Sequence, residues 1–137
     1  NYSIITQTGT GQTASVDQMV VTYETQGTNL ALLTQEGLGH SGLISQTGAQ
    51  NDATLEQYGD FNEGAIFQEG SGHSAELVQD GQNLDAIEIR QTDCAISGGC
   101  PTLRIEQTQT ASIMSLTSSG SVVIQPGASV YVSGTSN

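Results

Sequence analysis

Gln35, Gln46, Gln57, Gln68 and Gln79 stand eleven residues apart, and Gln7 and Gln18 repeat that interval. A primary amide offers two N–H donors and an acceptor oxygen, so amides stacked in a row can bond one to the next. The chemistry open to such a row is assembly. The other reactive side chains are arranged less favourably for chemistry. His40 and His73 occupy a position otherwise taken by Asn, on opposite edges of a two-strand coil, and read as turn residues rather than a shared metal site. Cys94 and Cys100 flank Ala-Ile-Ser-Gly-Gly, which in a secreted chain reads as a disulfide clip around a Gly-Gly turn. A redox pair or a metal half-site is the weaker alternative, because the spacing is not C-x-x-C and no His lies nearby. Glu56 and Glu76 belong to outward faces, with no predicted pocket to raise one carboxyl as a glycosidase pair requires. Asp60, Asp80 and Asp85 fall in or near turns, but the repeating calcium-solenoid motif is absent, so binding of calcium to the acidic surface stays open. No G-x-S-x-G and no P-loop occurs. Catalytic residues, cofactor sites and metal sites are therefore all read as none, and the chain is not read as an enzyme.

The composition narrows the partners. The chain has 137 residues, which suits one domain, and a formal charge of −12. Its positive side chains are Arg90 and Arg104, too few for the basic face that neutralises phosphate, so nucleic acid is excluded. The longest apolar run is far short of the roughly 20 residues that span a bilayer. No charged-then-apolar leader opens the sequence, so any secretory signal is expected to have been removed. Low hydrophobicity with high net charge usually means disorder. Here charged residues make up only 12%, Pro is confined to Pro101 and Pro126, and Ile, Val and Leu recur in short alternating runs.

The elements that must position the glutamines follow from the rest of the repeat. Two residues after most of them comes Gly: Gly9, Gly37, Gly48, Gly59, Gly70 and Gly81. Asn29, Asn51 and Asn62 form a further column. Ala14, Ala31, Ala53 and Ala75 supply a small residue, and Val16, Leu33, Ile44, Leu55, Ile66 and Leu77 the aliphatic two positions later. The unit reads Q-x-G-x-x-N-x-[AG]-x-[ILV]-x. Residues i, i+2 and i+4 of a strand share one face, so the small residue, the aliphatic and the Gln point inward together. The Gly suits a turn that needs positive φ. Each unit is then a short strand and a tight turn, and two units make one rung of about 22 residues, stacked at roughly 4.8 Å on the next. The fold class predicted is all-β: a β-solenoid or cross-β coil with two short strands per rung, stacking into a filament. Inward Gln side chains would form amide ladders, and the Asn column a similar ladder at the turn.

These residues resemble the curlin repeat, S-x5-Q-x-G-x2-N-x-A-x3-Q, of the curli amyloid subunits. Gln46, Gly48, Asn51, Ala53 and Gln57 match its Q-to-Q part in full. Gln57 to Gln68 matches with Gly64 for Ala, and Gln68 to Gln79 with His73 for Asn. The resemblance covers about residues 3–91. It implies a secreted bacterial protein whose β-solenoid polymerises into extracellular fibres of the biofilm matrix, serving adhesion. It also implies secretion or nucleation partners at the outer membrane. The family contains a major fibre subunit and a minor nucleator, and both roles stay open, as does a non-polymerising solenoid module.

The repeat is irregular at three places. Residues 1–91 are read as the solenoid, with an irregular insertion near 19–25. Gln79 to Gln91 is one residue too long, which suggests a bulge. Residues 92–137 are read as a degenerate β-rich region holding the Cys94–Cys100 clip and continuing or capping the solenoid. The repeat carries no Lys and no Pro to blunt its strand edges. One rung is a template for the next, a non-closing contact that yields a filament with the chain itself as partner.

Overall fold

The computed structural model describes residues 1–20, 27–92, 100, 102–109, 112–116 and 130–133. Alternation of inward and outward residues produces eleven described strands: β1 (Tyr2–Thr10), β2 (Thr13–Met19), β3 (Leu30–Leu38), β4 (Ser41–Ala49), β5 (Asp52–Asp60), β6 (Glu63–Ser71), β7 (Ser74–Gln82), β8 (Ile87–Thr92), β9 (Thr102–Thr108), β10 (Ser112–Leu116) and β11 (Val130–Ser133). They lie in two sheets, ordered β1-β3-β5-β7-β9-β10 and β11-β8-β6-β4-β2. From β1 to β9 successive strands thus alternate between the sheets, as in a two-strand coil, whereas β10 lies beside β9 in the same sheet and β11 joins the other. The pairs are parallel except β9 with β10, which is antiparallel. The fold is an all-β solenoid.

Register follows the repeat. Gln35 pairs with Gln57, and Gln57 with Gln79. Gln46 pairs with Gln68 in the other sheet. Leu33, Ile44, Leu55, Ile66 and Leu77 are fully buried between the sheets, with Ala31, Ala53 and Ala75 beside them, while Ala14 and Val16 pack at the margin. Burying each large aliphatic contributes about 1.5–3 kcal/mol. The small residue is small because an opposing Gln needs its space. A Cβ on Gly42 would meet the amides of Gln35 and Gln57 at 3.0 and 3.2 Å, and one on Gly64 would lie 2.9 Å from Gln79.

The irregularities resolve differently from the sequence expectation. The extra residue between Gln79 and Gln91 makes no bulge within a strand. It is absorbed in the turn 83–86, where Asn83 has φ 51°. Ile87 then takes the small-residue position opposite Gly64, and Ala86 is left exposed. The insertion predicted near 19–25 lies largely outside the described residues, although β2 runs through Met19. The register offset of β1 on β3 is 28 residues, as Gln7 opposite Gln35 shows, against 22 for β3 on β5.

Candidate functional site

The site is the interior of the stack and its first rung. In one sheet, the Nε2 of Gln7, Gln35, Gln57 and Gln79 donates to the Oε1 of the next glutamine at 2.8, 2.8, 2.9 and 3.0 Å, ending on Gln107. In the other sheet, Gln18, Gln46 and Gln68 do the same at 2.8 Å each, ending on Gln91. The remaining amide hydrogen crosses the coil. Gln35, Gln46, Gln57 and Gln68 donate to the carbonyls of Thr13, Leu30, Ser41 and Asp52, at the start of strands in the facing sheet. Each interior glutamine therefore ties its rung to the next and its sheet to the other. Gln91 and Gln107 extend the rows beyond the seven glutamines of the strict repeat. Their signal in sequence was partial, an interval of twelve in one case and the alternation Leu103-Ile105-Gln107 in the other.

The Asn column is not an amide ladder. Asn29 and Asn51 accept from the backbone N–H of Asn51 and His73, one rung on, at 3.1 Å each. Asn62 accepts likewise from Leu84. Their Nδ2 groups donate to the carbonyls of Gly48, Gly70 and Gly81 at 3.0 Å. Asn thus satisfies the backbone at corners, where ladder bonds lapse. Gln12 makes the comparable bond to the Gly37 carbonyl at 3.1 Å, and nothing in the repeat marked it.

His40 takes the same role by shape, and His73 shares its bond to the carbonyl four residues back. His40 Nδ1 accepts from the Asn62 N–H at 3.2 Å, and its Nε2 donates to the Glu36 carbonyl at 3.1 Å, the ring standing where a carboxamide would. His73 Nε2 bonds the Glu69 carbonyl at 2.9 Å. The two belong to different columns, His40 with Asn62 and His73 with Asn51. Replacing His40 with Asn should change stability by less than about 0.5 kcal/mol, whereas Ala, which strands the Asn62 N–H, should cost about 1–3 kcal/mol. Denaturant midpoints of the two variants test this.

The glycines do a different job from the one their spacing suggested. Gly9, Gly37, Gly48, Gly59 and Gly70 have φ between 93° and 130°, but they lie inside the ends of strands. The corners come two residues later, at Gly11, Gly39, Gln50, Phe61 and Gly72, with φ 57–76°. Gly81 takes no positive φ. What the column demands is closeness: a Cβ on Gly9, Gly37, Gly48 or Gly59 would fall 1.6–2.1 Å from the carbonyl oxygen of the glycine one rung on.

The outer surface is acidic, with local neutralisation. Arg104 bonds Glu76 at 3.1 Å and Glu106 at 3.3 Å, and these carboxylates raise its pKa above the ordinary value. Arg90 pairs with Glu88 and lies 4.2 Å over the Phe67 ring. Partial burial, then the neighbouring Glu56, pushes the Tyr58 hydroxyl up. Among the described residues, no group of three or more His, Cys, Asp or Glu converges as a metal site. No helix among them is long and apolar enough to cross a membrane. Cys94 lies outside the described residues, and Cys100 is disulfide-bonded.

The first rung is exposed. Tyr2, Ile4, Ile5 and Met19 are 42–59% accessible, and Gln7 and Gln18 stand at the open heads of their ladders. Among the described residues no strand pairs with the outer edges of β1 and β2, which makes them a template for another strand. The family model of the curlin associated repeat matches residues 28–59 and 48–81. No curated protein and no solved structure matches the chain.

Proposed function

From the match of residues 28–81 to the curlin associated repeat, we propose that the chain is a structural subunit of an extracellular, curli-like bacterial amyloid fibre. The fibre would serve biofilm matrix and adhesion, and copies would join end to end by rung stacking. One observation carries this reading. The amide ladders run through the interior and reach an uncovered first rung, so the bonding that holds the rungs together has an open end. The family is one of structural amyloid subunits, which accords with a chain whose chemistry is backbone and amide pairing. Cys94 and Cys100 are proposed as the clip of the region after residue 91.

The test is dilution from denaturant at several concentrations, followed by thioflavin fluorescence and negative-stain microscopy. Seedable fibres whose growth depends on concentration are expected. A folded, persistent monomer would reject autonomous fibre formation, and seeding of a different protein without growth of its own would mark a nucleator.

Charge should act as a brake on assembly. The net charge of −12 repels free copies, and the isoelectric point lies near 4.1. Partial burial pushes the Asp52 carboxyl above the usual carboxylate range. Its folded pKa then exceeds its unfolded one, so the folded state takes up this proton first and its relative stability rises as pH falls through that window. Assembly is expected to quicken as pH is lowered from neutral toward that isoelectric point, where the carboxylates lose their charge. A growth rate that stays flat with pH would remove charge as the brake.

A further inference from the structure

The two ends of the stack are unlike, and the difference specifies how a second copy docks. Among the described residues, each ladder bond runs from an Nε2 to the Oε1 on the C-terminal side, so the first rung presents the acceptor oxygens of Gln7 and Gln18. Two first rungs face to face would set acceptor against acceptor. The last rung of another copy, ending in Gln107, continues the ladder in its own direction. The columns agree with that stacking. The row Ile5, Leu33, Leu55, Leu77, Ile105 would resume with Ile5 of the next copy, and the row Val16, Ile44, Ile66, Ile89 with its Val16. On the outward face, Asp17, Ser45, Phe67 and Arg90 share a row, so the incoming Asp17 would sit beside Arg90, acid against base.

That docking face is already occupied by the chain's own C-terminal strands. β10 pairs antiparallel with β9, setting Ser112 opposite Gln107, and β11 pairs with β8, setting Val132 opposite Gln91. Neither position carries a carboxamide, so neither continues a ladder. β10 covers five positions of β9 (Leu103 to Gln107), where β1 could offer nine residues of strand. We propose that β10 and β11 are a self-supplied cap standing in the place of the next copy's first rung, and that growth occurs when β1 and β2 of an incoming copy displace them. The inference rests on the fibre-subunit reading above. It makes assembly polar, first rung onto last, and slowed by the fraction of time the cap is closed.

The experiment is seeded elongation of the full chain on wild-type seeds. Met114→Pro together with Val132→Pro weakens the pairing of both cap strands. This variant should elongate roughly tenfold faster or more, with β content unchanged by circular dichroism. An unchanged or slower rate with β content retained would overturn the cap. Asp17→Arg should elongate roughly fivefold slower, and Arg90→Asp added to it should restore much of the rate. Wild-type elongation by Asp17→Arg, or no recovery in the pair, would overturn the docking register, and this arm decides if the proline variant loses its fold. Failure of the wild type itself to form fibres while folded would reject the subunit reading and this inference with it.

Discussion

Gly37→Ala should destabilise the folded chain by about 4 kcal/mol or more, among the largest effects of any single substitution here. The added Cβ would lie 1.6 Å from the Gly59 carbonyl oxygen and 2.7 Å from its carbon. Both are backbone atoms of the next rung, so no rotamer change relieves the overlap. The residue also sits at φ 130°, a conformation that L side chains rarely adopt. The only relief is to part the two rungs at that edge, which breaks ladder bonds from Glu36 to Leu38 and disturbs the His40 ring, whose Nε2 would lie 3.1 Å from the added Cβ. Gly11 separates the two causes. Its φ of 69° is left-handed, but the nearest atom to an added Cβ is 3.8 Å away. Gly11→Asn should therefore cost under about 1 kcal/mol, since Asn tolerates that conformation. Guanidinium unfolding of freshly diluted chain checks both. Equal midpoints for the two variants would show that turn conformation, not rung contact, keeps glycine in the column.

This contrast shows what could be read in the residues beforehand. Period and alternation made the coil legible, because a two-residue alternation inside an eleven-residue repeat leaves few other ways to bury Leu33, Leu55 and Leu77 together. The register, Gln on Gln, followed from the same columns. The cause of the glycine column was not legible. Turn propensity and close backbone approach select the same residue, and the corner falls later, at residues as unlike as Gly39, Gln50 and Phe61, which share no sequence signal. The Asn column misled for a related reason. A carboxamide recurring at a fixed position suggests amide pairing, but at a corner the unsatisfied backbone is the nearer partner, and a His ring serves as well. β10 and β11 were beyond the repeat altogether. Their pairing depends on which edge remains free after β8 and β9, which no local pattern states.

Gln57→Leu should cost about 3–5 kcal/mol and suppress fibre growth, while Glu56→Gln at the adjacent outward position should change stability by less than about 0.5 kcal/mol. Leu matches Gln in bulk and helps the apolar term, so a hydrophobic account predicts tolerance. Hydrogen bonding predicts the reverse. Removing this carboxamide strands the Nε2 of Gln35, the Oε1 of Gln79 and the Ser41 carbonyl, all turned into the coil. Each buried group left unpaired costs about 1–3 kcal/mol, and the costs overlap because neighbouring amides can tilt toward one another. Gln57 and Gln79 are consecutive members of one row and share a link, so replacing both removes three links where the two single variants together remove four, and it strands few groups beyond those of the single variant. The double variant should therefore cost clearly less than twice the single one. Elongation on wild-type seeds should follow the same order, with Glu56→Gln paired with Glu76→Gln near the wild-type rate. Strict additivity of Gln57→Leu and Gln79→Leu would mean that each glutamine acts through its own cross-coil bond alone. Sub-additivity places the stabilisation in the continuous row, the part of the structure that a second copy would extend.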